Sequence, residues 1–197
     1  AVLEAVAGDA MTLGLMQAVL RARAALWVEY LALNKLVVQI TMRDALSRRF
    51  MAIPGVGPVT ALSFSTAIED PARFRRSRDV AAYFGLTSKR WQSGTSIDVK
   101  GRISKAGDPD VRRALYEAAS AMLTRFKGSD ILKSWGLKLA KTKCHAKARV
   151  AVARKLAVVM HAMWRDGTFY VGDPTASAQD VAARASAKEK RLSYAQS

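Results

Sequence analysis

The chain of 197 residues carries a single cysteine, Cys144, and only two histidines, His145 and His161. One thiol excludes an internal disulfide and fits a reducing compartment. With so few soft ligands, no zinc set can be assembled. Acids are scarce as well: 16 Asp and Glu stand against 32 Lys and Arg, a formal charge of +16. They are scattered, and no cluster of them could hold a pair of magnesium ions. No uncharged apolar run approaches the length of a membrane span, because Asp9 and Lys35 interrupt the best candidates. No signal-peptide pattern is visible. The chain opens at Ala1 in a helical pattern without a methionine, and is expected to be a piece of something longer.

What is present is apolar and basic. Half of the residues are hydrophobic, enough for a core and against wholesale disorder. The cationic excess is clustered, which argues for a polyanionic partner, nucleic acid first and an anionic membrane surface second. Between Ile131 and Arg165 there are nine Lys or Arg and no acid. Such a one-signed stripe strengthens the polyanion reading.

Along the chain, residues 10–50 read as helix. Leu13, Met16, Leu20, Ala24, Trp27 and Leu31 follow alternating steps of three and four, a seam for another helix. A break is expected near Asn34, with a second segment from about Val37 to Met51. The seam suits a dimerising or linking coiled coil, or equally a helical hairpin packed on its own domain. Next comes Ile53-Pro54-Gly55-Val56-Gly57-Pro58-Val59-Thr60-Ala61 between two helical segments. Gly55 and Gly57 permit backbone angles that other residues resist, and Pro58 suits a first helical turn. The pattern resembles the helix-hairpin-helix motif, in which amides at a glycine turn and a helix N-terminus face a nucleic-acid phosphate. A tight turn without a ligand would use the same residues.

Glu69-Asp70-Pro71 ends that helix. Ser77 is expected to cap Arg78–Phe84, with Val80, Tyr83 and Phe84 packed inward and Asp79 in the favourable first turn. Arg73, Arg75, Arg76 and Arg78 form a dense basic run around Phe74. From Leu86 to Asp108 the helical period disappears. Ser93-Gly94-Thr95-Ser96 and Ala106-Gly107 alternate there with Lys89, Arg90, Lys100, Arg102 and Lys105. A long loop or loose hairpin of this kind inside a compact domain is functional or disordered. Its cations and hydroxyls suit gripping phosphates, and a hydroxyl could attack one. Asp108-Pro109 then starts a helix with Val111, Leu115, Ala118, Met122 and Phe126 on one face and Arg112 and Arg113 in its first turns. Further helices are expected at Asp130–Ala140 and Lys147–Trp164. From Gly172 onward the core signal fades into a mobile tail.

The ordered blocks IPGVGPVTA at Ile53, DPARFRRSRDVAAYFGLT at Asp70, KRWQSG at Lys89, GRISKAGDPDVRRALYEAA at Gly101 and ARVAVARKLAVVMHAMW at Ala148 cover about 120 residues. Together they resemble the C-terminal transposase domain of the "IS-one-ten" insertion-sequence recombinases. That family includes Piv-type DNA invertases and members guided by a bridge RNA. The resemblance implies a DNA strand-exchange enzyme with a composite active site. An upstream RuvC-like domain, not found in this chain, would supply an acidic tetrad binding magnesium. Ser93 aligns with the family's serine nucleophile, which forms a transient phosphoserine bond to DNA. Trp91 stands where the family usually has tyrosine, and Ala106 where many relatives have cysteine.

Around Ser93, the expected nucleic-acid contacts are Gly55, Gly57, Lys89, Arg90, Lys100, Arg102, Lys105, Arg112 and Arg113. Ser104 and Lys105 fit loop geometry or a phosphate contact. By itself the piece is expected to bind nucleic acid and catalyse little, without a cofactor of its own. The implied partners are DNA ends and target, with a guide RNA in some members, and a dimer or tetramer in the bacterial cytoplasm. A different reading, a helix-hairpin-helix binding module without catalysis, needs only the turn and the basic stripes. A tyrosine recombinase fails because Tyr83 and Tyr116 lie within apolar helices and the histidines fit no Arg-His-Arg set. A Ser-His-Asp hydrolase lacks a strand-turn-helix nucleophile elbow. The expected fold is mainly α. A helical connector covers residues 1–50, and a domain at 51–170 carries a small irregular or β-hairpin active loop. The tail covers 171–197.

Overall fold

The computed structural model describes residues 10–93 and 97–173, with side chains throughout except over 90–100. Among the described residues it is mainly α-helical, with seven α-helices and one antiparallel hairpin. The chain divides into two units, residues 1–39 and 40–197. The expected tail from 174 onward lies outside the described residues.

Helix α1 runs unbroken from Ala10 to Arg43. The expected break at Asn34 is absent, since Leu33, Lys35 and Leu36 around it are good helix formers. The chain breaks instead at Asp44, whose carboxylate accepts from the amides of Leu46 at 3.2 Å and Ser47 at 2.8 Å. That N-cap starts the short helix α2 (Ala45–Met51). Within residues 10–39, Leu15, Val19, Leu26, Trp27, Tyr30 and Leu33 are all largely exposed, and Trp27 stacks on Tyr30 at 5.3 Å.

The second unit holds the core. Helix α3 spans Pro58–Ile68, a 3-10 turn Pro71–Arg73, α4 Ser77–Tyr83, α5 Pro109–Thr124, α6 Ile131–Lys143 and α7 His145–Asp166. Helix α7 packs against α4, α5 and α6, while α3 lies on α5 and α2. Phe50 meets Phe64 edge-on at 5.5 Å, and Phe64 meets Phe84 at 5.7 Å. These three rings, with Ile53, Leu115, Met122, Leu156 and Met160, are fully buried. Each such side chain contributes roughly 1.5–3 kcal/mol through area removed from water. Val111, Leu115, Ala118 and Met122 line the buried face of α5 as their spacing predicts. Phe126 does not belong to that face: the helix ends at Thr124, and the Phe126 ring sits half-buried beneath the Lys133 ammonium at 5.4 Å.

Two capping expectations separate cleanly. Asp108 accepts from the amides of Asp110 at 2.7 Å and Val111 at 3.2 Å, so α5 starts where Asp-Pro predicts. Ser77 does not cap α4; the helix begins with Ser77 itself, after Arg76, with no side-chain cap. The reason is tertiary: the Ser77 hydroxyl is engaged by His161 of α7 at 3.0 Å.

The hairpin on the helical core as a candidate nucleic-acid interface

Strands β1 (Ser88–Ser93) and β2 (Ile97–Ile103) pair antiparallel between α4 and α5. Ser88 pairs with Ile103 and Arg90 with Lys100, so β2 carries one extra residue in a bulge that includes Gly101. The register places Arg90 directly opposite Lys100. Like charges at directly opposed positions destabilise a hairpin. Ser93 closes the described ladder opposite Ile97, while Gly94, Thr95 and Ser96 lie outside the described residues.

The root of the hairpin is tied to the helices by backbone contacts that only glycine allows. Gly85 has φ +67° and Gly107 φ +77°. A methyl on Gly85 would overlap the Ala106 carbonyl and stand 2.5 Å from its nitrogen, and one on Gly107 would overlap the Tyr83 carbonyl. The Ser104 amide donates to Thr87 O at 2.8 Å and the Lys105 amide to Gly85 O at 3.1 Å. Arg112 completes the clasp from α5. Its Nη1 donates to Phe84 O and Ala106 O at 3.2 Å each, with Asp108 O at 3.5 Å. One guanidinium thereby joins the end of α4, the return strand's exit and the cap of α5.

The sequence-predicted cations therefore occupy different situations. Lys89, Arg102 and Lys105 are exposed on or beside the strands. Arg90 and Lys100 are placed by register alone. Arg112 is spent on three carbonyls, and Arg113 forms an exposed pair with Asp110 at 3.3 Å. An exposed pair of that kind is worth little. Ser104 contributes loop geometry, its Oγ accepting from the Ala106 amide at 3.4 Å.

Gly55 and Gly57 also part company. Gly55 has φ +86°, and a methyl on it would overlap the Ala118 carbonyl and stand 2.9 Å from the Met122 nitrogen. It lets the turn lie directly on α5. Gly57 is the N-cap of α3, followed by Pro58, with no side-chain cap and open space where a Cβ would go. The first amides of α3 are thus free to face an anion.

Beside the hairpin root lies the arginine run. The chain leaves α3 through a γ-turn at Glu69, φ +59°, in which Asp70 N donates to Ile68 O at 2.7 Å. Arg73 lies over the rings of Phe74 and Tyr83 at 5.9 and 6.0 Å and donates to Ile68 O at 3.1 Å. Arg75, Arg76 and Arg78 are exposed. The run is bracketed by a fully buried His161, with Nε2 3.0 Å from the Pro71 carbonyl and Nδ1 3.0 Å from Ser77 Oγ. A carbonyl only accepts, so Nε2 donates to it, and the Ser77 hydroxyl shares the second bond with Nδ1. Tyr83 was expected to pack inward, yet it is 40% exposed at the edge of this patch.

Sequence reasoning missed the Arg112 clasp, the Gly85–Gly107 interlock and the His161 bridge. Positive-φ glycines flanking the loop are the one local hint of the second. At the far end of α5, Asp130 caps α6, and its two oxygens share the single proton of the Tyr170 hydroxyl, at 3.0 and 2.9 Å. Burial, then the Asp130 charge and the hydrogen bond, push the Tyr170 phenol far above the usual tyrosine range. Among the described residues no three His, Cys, Asp or Glu side chains gather as a metal cluster. No helix among them is long and apolar enough to cross a membrane.

Residues 47–135 match the family model described as "Transposase IS116/IS110/IS902 family". The chain is 31% identical over 140 residues to a putative transposase of Sinorhizobium fredii, covering 70% of this chain and 36% of that one. It is 37% identical over 117 residues to the transposase for insertion sequence element IS1111A of Coxiella burnetii, covering 59% and 32%. It is 31% identical over 129 residues to the transposase for IS1328 of Yersinia enterocolitica, covering 64% and 38%. The chain spans about a third of the length of the curated relatives it matches.

Proposed function

From a chain that matches the IS116/IS110/IS902 transposase family, we propose the nucleophile-bearing part of a DNA transposase or recombinase. Ser93, at the end of β1, is the nucleophile. Its oxygen bonds to the scissile phosphorus, the strand's bridging oxygen leaves as a free hydroxyl, and the serine proton passes to that leaving group or to a base. A hydroxyl from a second strand then attacks the phosphoserine, restores a phosphodiester and returns the proton to Ser93. Bonds made and broken are of one kind, so no external energy source is needed. A neutral serine is a weak nucleophile and requires activation.

The observation that carries this reading is the hairpin's own architecture. It is a basic ribbon with Arg90 opposite Lys100, rooted in the core by Gly85, Gly107 and Arg112. A rigid root holds an attacking group within the narrow geometry that substitution at phosphorus demands. In this reading Lys89, Arg102 and Lys105 contact DNA phosphates, and Gly57 admits a phosphate to the start of α3 in helix-hairpin-helix fashion. Gly55 and Arg112 act through position. Acidic ligands for magnesium belong to a RuvC-like domain in the length of the relatives that this chain does not cover. Residues 1–50 serve as a connector whose exposed apolar helix pairs with another copy, and 51–170 form the transposase domain. A guide RNA belongs to the same scheme.

The test joins the chain to the upstream portion of a full-length relative and supplies magnesium and labelled terminus DNA, with and without guide RNA. A denaturation-resistant protein–DNA species is expected, lost in Ser93→Ala and kept in Ser96→Ala, with DNA binding intact in both. An adduct that persists in Ser93→Ala refutes the assignment. Strand exchange unaffected by Ser93→Ala would favour the non-catalytic binding module.

A further inference from the structure

Helix α6 carries a surface that the hairpin does not use. Gly136, at its middle, fits against Leu123 and Val152; a Cβ there would meet their methyls at 2.8 and 2.6 Å. Leu123 lies at the C-terminal end of α5, whereas the hairpin root is clasped at its N-terminal end. Eleven residues of α5 separate Arg112 from Leu123, about 16 Å at 1.5 Å per residue.

On the outer side of α6, Ile131, Trp135, Lys138 and Thr142 recur at steps of four, three and four, with Ser134 and Lys141 on the adjoining line. All are exposed; Trp135 keeps 43% of its surface accessible in a well-packed unit. A large ring left open in this way is not there for the core. Beside it is a cleft of about 300 Å³ between α6 and the returning segment at Gly172–Asp173, with Ser134, Trp135 and Lys138 on its wall. Lys138 and Lys141 stand about 4.5 and 9 Å further along the axis from Trp135. Neither side chain makes an ion pair or a hydrogen bond among the described residues, whereas the Lys133 ammonium is turned onto the Gly128 carbonyl at 3.2 Å. Exposed Lys143, Lys147, Arg154 and Lys155 continue the positive field onto α7, where no acid precedes Asp166.

We propose that this face is a second nucleic-acid site that takes a single strand, one unpaired base stacking on Trp135 while the flanking phosphates lie on Lys138 and Lys141. A flat ring face can take only a base freed from its pair, whereas a duplex shows its bases edge-on. Of the two acids that line the cleft, Asp130 is buried and held by Tyr170 and two amides, and Asp173 lies on the returning segment, so the phosphates are assigned to the Lys138 and Lys141 side of Trp135. RNA and displaced DNA share this chemistry. The site lies apart from Ser93 and its test needs no cleavage, so it stands or falls independently of the strand-exchange reading.

The test is anisotropy of labelled oligo-rU, oligo-dT and a duplex of equal length on the 197-residue chain. The variants are Trp135→Ala, Trp135→Phe and Lys138→Gln with Lys141→Gln, each checked for unchanged helicity. Base–aromatic stacking predicts a loss of single-strand affinity of at least about fivefold in Trp135→Ala. Recovery is expected in Trp135→Phe, with duplex affinity constant across both. The two-lysine variant should weaken single-strand binding and flatten its salt dependence. A greater loss on oligo-rU assigns the site to RNA, and equal or greater loss on oligo-dT to displaced DNA. Single-strand affinity unchanged in Trp135→Ala, or falling in step with duplex affinity, overturns the proposal.

Discussion

Replacing Gly55 and Gly57 by alanine one at a time should separate folding from binding within the six-residue turn between α2 and α3. At Gly55 the backbone has φ +86°, and holding an L-residue in the left-handed region costs about 1–2 kcal/mol. The new methyl would also overlap the Ala118 carbonyl and press on the Met122 nitrogen at 2.9 Å, both backbone atoms of α5. Helix α5 must move off the turn, and overpacking a buried contact costs about 1–3 kcal/mol. The sum, roughly 2–5 kcal/mol, is a large part of the 5–15 kcal/mol that a domain of this size typically has. At Gly57, φ is −107° and nothing lies within reach of a Cβ. Alanine there should cost at most about 1 kcal/mol, the difference between a glycine and an alanine N-cap. Urea unfolding followed by far-UV circular dichroism measures both. Duplex affinity at several salt concentrations measures what remains: Gly57→Ala should bind several-fold more weakly while losing at most about 1 kcal/mol of stability. Equal destabilisation by the two substitutions would refute the packing argument. A stable Gly57→Ala with full affinity would make the turn a connection and nothing more.

Two further outcomes follow from groups outside the turn. Arg112→Met should remove the clasp on Phe84 and Ala106, lower stability by about 1–3 kcal/mol and speed amide exchange at Ser104 and Lys105; unchanged exchange there would mean the hairpin root does not depend on the guanidinium. The raised Tyr170 phenol contributes stability that is fully present below the ordinary tyrosine range near 10 and is lost as pH rises through and beyond it. Ultraviolet titration should therefore find a tyrosine that ionises only on unfolding, and Tyr170→Phe should abolish that component and flatten the alkaline loss of stability. An identical alkaline profile in the variant would sink the idea.

Local chemistry was legible and long-range chemistry was not. Asp108 and Asp130 announce helix starts because a carboxylate reaches amides two and three residues on, wherever the chain later goes. The hairpin declared itself by losing the helical period between Leu86 and Asp108. Ser77 misled because its hydroxyl could serve either its own helix or a ring 84 residues away, and the ring won. The predicted break at Asn34 failed because one mediocre helix former costs only tenths of a kcal/mol amid good ones. Arg112 looked like any first-turn cation; only the approach of Phe84 and Ala106 shows its Nη1 engaged. For Ser93 the proposed role rests on the resemblance of an ordered set of blocks, and the register adds only its place at the end of the ladder.

The His161 bridge has a thermodynamic consequence for the arginines it brackets. A loop that must order itself around a ligand spends part of the binding energy on lost backbone freedom, about 1–2 kcal/mol for each residue fixed. Here one imidazole grips the chain at Pro71 and again at Ser77, and the residues between carry Arg73, Arg75 and Arg76. That entropy is spent during folding, when the ring is buried. Association with an anion then has only side-chain rotamers left to settle. In a cysteine-poor chain a histidine thus does the work of a staple, and it leaves the exposed tips of Arg75 and Arg76 loose enough to track an irregular backbone.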